Sequence, residues 1–181
     1  MALYSYKNVT PKVHESVYIA PDAKIIGDVH IGRDSSVWFN SVIRGDVAHI
    51  RIGERTNIQD LCMGHVARQT PLIIGNGVTI GHSCCVHGAT IEDDCLIGMG
   101  AILLNKSVIG RGSVIAAGAV VLEKTIIPPY SLVTGSPGKV KKVYENQEEI
   151  NQRLKSASDN YVLHAREYAS NDLVYEIKNR D

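Results

Sequence analysis

The sequence predicts an all-β fold, a left-handed parallel β-helix of hexapeptide repeats with a C-terminal α-helix. Three observations carry that expectation: an aliphatic residue recurs every six positions, glycine often follows it directly, and a small residue sits four positions after it. A period of six matches neither the 3.6 of a helix nor the alternation of a long strand. Each unit is therefore a short strand plus a corner, and three units make one triangular coil.

The aliphatic series runs through Val13, Ile19, Ile25, Ile31, Val37 and Ile43, then shifts frame to Ile52 and Ile58. It resumes at Ile74, Ile80 and Val86, slips by one to Ile91, and continues through Ile97, Leu103, Ile109, Ile115 and Val121. These residues fill the axis of a narrow prism. The small set, Ala23, Ser35, Ser41, Thr56, Cys62, Cys84, Cys95, Ala101, Ser107, Ser113 and Ala119, belongs near its corners. Glycines such as Gly32, Gly53, Gly98 and Gly110 relieve backbone crowding at the turns. A chain with one Phe and one Trp suits a core too narrow for large rings.

Two breaks in the pattern, Gly45 to Ile50 and Gly64 to Leu72, are expected to be loops leaving the prism. The run Ile127-Pro128-Pro129-Tyr130-Ser131 stops the coil. Residues 1–142 are assigned to the β-helix and 171–181 to a tail. Between them, 143–170 form an amphipathic helix with Ile150, Leu154, Ala157, Tyr161, His164 or Ala165, and Tyr168 on its apolar face. That face packs on the prism or on a neighbouring subunit.

Lysine plus arginine equals aspartate plus glutamate at 19 each, which removes the electrostatic case for nucleic acid or an anionic membrane surface. The first residues lack a basic segment followed by an apolar stretch, and no run approaches the roughly 18 apolar residues of a membrane span. The expectation is a soluble cytoplasmic protein with its four cysteines reduced.

Seven histidines divide unequally. His14, His30, His49 and His164 read as surface or packing residues. His65 lies at the second break and His82 follows it by 17 residues, nearly one 18-residue coil. That spacing places the two on neighbouring levels of one edge, about 5 Å apart. His87 then falls on the next edge, on the order of 16 Å of extended chain from His82. A zinc ion holds imidazole nitrogens at about 2 Å, so His82 and His87 cannot share one within a chain. They can if prisms pack around a threefold axis and one chain's His82 faces another's His87. Three unrelated surface histidines are the alternative. Cys62, Cys84 and Cys95 occupy inward positions as core filling, and Cys85 points outward.

With Arg44-Gly45-Asp46, Asn57-Ile58-Gln59-Asp60, the lone His65 and Gly81-His82-Ser83-Cys84-Cys85-Val86-His87-Gly88, the chain resembles the gamma-class carbonic anhydrases and their short bacterial relatives over about residues 10 to 170. The resemblance implies a homotrimer in which His65 and His87 of one subunit and His82 of the next bind zinc, ferrous iron or cobalt. It implies a small-molecule substrate, carbon dioxide, attacked by a metal-activated hydroxide. By the same resemblance Gln59 orients that hydroxide, Arg44 and Asp46 form an ion pair near the site, and Asn57 and Asp60 belong to its hydrogen-bond shell. Tyr161 leans over the metal or packs in the core.

The chain departs from the family prototypes at the proton-relaying carboxylates. The corresponding stretches read Val47-Ala48-His49 and Val66-Ala67-Arg68-Gln69, with no acidic residue. Regenerating the nucleophile requires a proton to leave in each turnover, so high activity does not follow from an intact metal site. Two other functions stay open: an acyltransferase or thioesterase acting on coenzyme A thioesters, suggested by the tail Pro128 to Val140, and a non-catalytic trimeric metal-binding module.

Overall fold

The computed structural model describes residues 2–170, so the tail assigned to 171–181 lies outside the described residues. Short parallel strands stack on the three faces of a prism. The first face carries the leading halves of Lys24–Ile31 and Val42–Ile52, then Met63–His65, Cys85–His87, Ile102–Leu103 and Val120–Val121. The second carries Lys12–Val13, the trailing halves of the two long strands, Leu72–Ile74, Thr90–Ile91, Val108–Ile109 and Ile126–Ile127. Tyr18–Ile19, Ser36–Val37, Asn57–Ile58, Thr79–Ile80, Leu96–Ile97, Val114–Ile115 and Ser131–Thr134 make the third.

The six-residue aliphatic set is the prism axis. On the third face Ile19, Val37, Ile58, Ile80, Ile97, Ile115 and Val133 stack in register and are buried. All eleven small residues of the second set are buried as well. Their hydroxyls and thiols find backbone acceptors, as where Ser41 Oγ donates to the Gln59 carbonyl at 2.7 Å and Ser35 Oγ to the Gly53 carbonyl at 2.8 Å. Buried polar side chains at the corners are in this way bonded to the backbone of the next coil. Gly98 shows why glycine follows the aliphatic residue: a Cβ there would lie 2.6 Å from the Ala117 nitrogen of the next coil.

The two breaks resolve differently. Expected as a loop, Gly45 to Ile50 remains within the strand Val42–Ile52, which turns the corner between two faces. Register jumps there from Gly27 opposite Gly45 to Val29 opposite Ile50, so the extra residues form a bulge rather than an excursion. The second break does leave the prism, as a tight turn closed by antiparallel bridging of Ala67 with Thr70.

After the prolines, Lys139–Val143 returns antiparallel to Ser131–Thr134 and ends the third sheet. The helix α1, Gln147–Ala169, is capped by Asn146, whose Oδ1 accepts from the Glu149 N–H at 3.1 Å. It packs along the third face of its own chain, against Tyr18–Ile19, Ser36–Val37, Asn57–Ile58 and Thr79–Ile80. Ile150, Leu154, Ser158, Val162 and Ala165 are its buried residues. Ser158 and Val162 thus replace the expected Ala157 and Tyr161, and His164 is exposed. The outward residues of the sheet beneath include Tyr18, Ser36, Asn57 and Thr79, and the helix tyrosines lie on the flank of the contact. There Tyr161 and Tyr168 meet Trp38 edge to face, with ring centres 5.5 and 5.0 Å apart. Among the described residues no helix is long and apolar enough to cross a membrane.

Candidate metal centre

His65 and His87 end the stacked strands Met63–His65 and Cys85–His87 and pair in register on the first face. Gly64 and Val86 before them point inward, so both imidazoles point out. Their rings meet edge to face, with His65 Nδ1 3.1 Å from His87 Nε2. The expectation that His65 stacks on His82 is therefore wrong. The turn at residues 66–71 lengthens this coil, so that 22 residues rather than 18 separate the stacked pair.

Each ring is held from its far side. His65 Nε2 lies 3.0 Å from Asp46 Oδ1, and the other oxygen of Asp46 accepts from Arg44, which sits directly beside His65 in the neighbouring strand. Burial works to raise the Asp46 pKa, yet the hydrogen bonds from His65 and Arg44 carry it below the ordinary carboxylate value. On the other ring, His87 Nδ1 lies 2.7 Å from Asn105 Oδ1. Asn105 is oriented by its own amide, which donates to Glu123 Oε1 at 3.2 Å and so leaves the carbonyl oxygen for His87.

These partners set the tautomers. A carboxylate fixes the His65 proton on Nε2 and an amide carbonyl fixes the His87 proton on Nδ1, so the two facing nitrogens both present lone pairs. Lone pairs at this distance repel unless a positive charge sits between them. Two nitrogens bound to one tetrahedral ion at about 2.0–2.1 Å are about 3.3 Å apart, close to the spacing found here. The donor set and its outer partners therefore fit a divalent metal.

His82 belongs to the other edge of the first face, in the turn that precedes Cys85–His87. Its Nδ1 lies 2.7 Å from Asp60 Oδ2, and Asp60 Oδ1 accepts from the Phe39 backbone N–H at 3.2 Å. That leaves Nε2 of a 43% exposed ring free to meet a group outside this chain. Among the described residues no three potential ligands gather within one chain.

The remaining candidates group on the His82 side. Gln59 and Asn57 are buried, and a relay runs from the Gln59 amide to Asn57 Oδ1 at 3.2 Å and from the Asn57 amide to Thr79 Oγ1 at 2.9 Å. Tyr161 reaches this region from α1: burial and then the Asp60 carboxylate raise its pKa, and its ring packs on Trp38. His49 lines a cleft of about 350 Å³ with Asp46, Asp28 and Lys7. Sequence reasoning missed Asn105 altogether. It follows His87 by 18 residues, one regular coil, and that spacing would have found it.

Fold and site together define a hexapeptide-repeat β-helix with a histidine-based candidate metal centre. The model for bacterial transferase hexapeptide (six repeats) matches residues 10–45 and 88–123. A carbonic anhydrase of Geobacillus kaustophilus is 47% identical over 138 residues, 76% of each chain. The mitochondrial gamma carbonic anhydrase 2 of Arabidopsis thaliana is 40% identical over 167 residues, 89% of this chain. This chain spans only 59% of that plant protein's length. A solved structure from Bacillus cereus, provisionally described as an acetyltransferase, superposes with a TM-score of 0.90 at 40% identity, covering 94% of this chain and 98% of its own. The chain belongs to the family of gamma carbonic anhydrases and their hexapeptide-repeat relatives.

Proposed function

We propose that the protein is a homotrimeric, metal-dependent carbonic anhydrase of modest turnover. The observation that carries this reading is the pair of lone-pair nitrogens, His65 Nδ1 and His87 Nε2, held 3.1 Å apart with their other nitrogens tied to acceptors. When bound, a zinc, ferrous or cobalt ion supplies a Lewis acid beside which water loses a proton near neutral pH and can add to carbon dioxide. His65 and His87 of one subunit and His82 of the next would hold it. Asp46, Asn105 and Asp60 orient those three rings. Arg44 neutralises Asp46, Gln59 positions the reacting water, and Asn57 fixes the Gln59 amide.

The first face supports assembly. Val42, Met63, Cys85, Ile102 and Val120 stack in register along its outside, an apolar column that α1, lying on the third face, leaves uncovered. The two half-sites bound this face, His82 at one edge and His65 with His87 at the other. Packing it against the neighbouring prism would bury the column and join the half-sites in one step. Turnover is modest in this reading because neither the bulge at Val47-Ala48-His49 nor the turn at Val66-Ala67-Arg68-Gln69 offers a carboxylate to carry the proton away.

Stopped-flow hydration of carbon dioxide by zinc-, iron- and cobalt-loaded protein tests the proposal. Metal-dependent turnover lost in His87→Ala is the expected result. A fully loaded trimer without turnover would make it a non-catalytic metal module. The Bacillus cereus likeness favours acyl transfer as the second reading; acetyl-coenzyme A bound by metal-free protein in calorimetry would support that one instead.

A further inference from the structure

The geometry points to Asn105 as a positioning residue that fixes the tautomer of His87, and to Glu123 as the anchor that keeps Asn105 in the required orientation. This inference rests on the metal-centre reading for its consequence but not for its structural content. An imidazole can ligate only through a nitrogen that carries no proton, and in a neutral ring the partner of the other nitrogen decides which one that is. For His87 that partner is Asn105 Oδ1 at 2.7 Å. An asparagine side chain offers either an acceptor or a donor, and turning it over would present its NH₂ to Nδ1 and move the ring proton to Nε2. The 3.2 Å bond from the Asn105 amide to Glu123 Oε1 opposes that flip. His87, Asn105 and Glu123 thus form a ladder on three successive coils that ends in an exposed carboxylate.

Gly88 makes the contact possible. It adopts a φ of +54°, and a Cβ there would lie 2.5 Å from Asn105 Oδ1, the atom that accepts from His87. Residue 88 therefore has to be glycine for Asn105 to reach the ring, which gives the glycine after His87 a role in the site as well as in the turn. Of the three rings, His87 is the one oriented by a neutral amide; Asp46 and Asp60 serve the other two.

The test uses full-length protein with ¹⁵N-labelled histidine. Long-range ¹⁵N–¹H spectra of the metal-free protein should show His87 protonated on Nδ1, and Asn105→Leu, which removes the acceptor, should shift the population to Nε2. Zinc affinity, measured by competition with a chromogenic chelator, should weaken by about 10- to 100-fold in Asn105→Leu. Asn105→Asp, which keeps an acceptor, should restore both readouts, and Glu123→Ala should give a smaller loss of each. Because Glu123 is exposed, that variant carries the test even where Asn105→Leu does not fold. An Asn105→Leu protein that retains the Nδ1 tautomer and wild-type zinc affinity would overturn the inference. A wild-type protein that binds no zinc, yet shows the tautomer shift, would sink the metal-centre reading while leaving the hold of Asn105 on His87 established.

Discussion

His65 and His87 face each other nitrogen to nitrogen at 3.1 Å, although 22 residues separate them and the strands between belong to two other faces of the prism. Their approach follows from register alone, because parallel stacking puts the last residue of each strand above the last of the one before it. A one-residue slip would turn one ring into the core.

Gln59→Ala should lower carbon dioxide turnover by one to two orders of magnitude, about 10- to 100-fold, while leaving metal content unchanged, since its amide lies with Asn57 and not with the ligands. Metal analysis beside stopped-flow kinetics checks this. Equal loss of metal and activity would make Gln59 a structural support.

How the chain shows its fold is seen in Cys62, Cys84 and Cys95. Each lies four residues after an aliphatic position, each reads as core, and each is buried. The period of six reports directly on burial because every coil repeats the same packing problem. It reports poorly on coil length where the chain inserts residues: a count of 18 per coil puts His82 above His65, whereas the residue stacked there is His87. It is silent on polar residues at corners, where Asn105 looks like any turn asparagine. On α1 the hydrophobic pattern found the helix and misjudged its face beyond Leu154, because it credits the large ring of Tyr161 over Ser158, whereas Ser158 faces the sheet and Tyr161 sits half-buried against Trp38.

Two glycines on one coil should respond differently to alanine. At Gly98 a Cβ meets the backbone of the next coil at 2.6 Å, whereas Gly100 has open space and only a φ of +68° to strain it. Gly98→Ala should cost about 2–3 kcal/mol, as overpacking against backbone does. Gly100→Ala should cost about 1 kcal/mol, the left-handed penalty less the entropy removed from the unfolded chain. Denaturant titration of both variants gives the comparison, and a larger loss at Gly100 would contradict it.

Acid should erode the pair formed by Arg51 and Asp28. The Arg51 hydrogen bond at 2.7 Å is the main cause that holds the Asp28 pKa below its ordinary 3.8, against a smaller opposing effect of burial. The folded state therefore binds a proton less readily than the unfolded one. The pair's contribution is complete above the unfolded value and disappears as pH falls through the folded value. Both side chains are more than a third exposed, so the effect is small. Melting temperatures of wild type and Arg51→Gln should differ most above the histidine range, because, second to burial, Arg51 also lowers the His30 pKa, and converge as pH falls through the lowered Asp28 value. Divergence on acidification would reverse the sign worked out here.

The sharing of one site between two chains is tested most directly by mixing mutants. His82→Ala chains keep His65 and His87, His65→Ala chains keep His82, and neither pure trimer contains a complete site. In freely mixed cyclic trimers about one interface in four pairs the two in the productive order. Co-expressed at equal levels and assayed without removing the parental trimers, they should bind zinc at roughly a quarter of the sites with wild-type affinity. Mixed trimers that bind no more zinc than either parent would contradict the account.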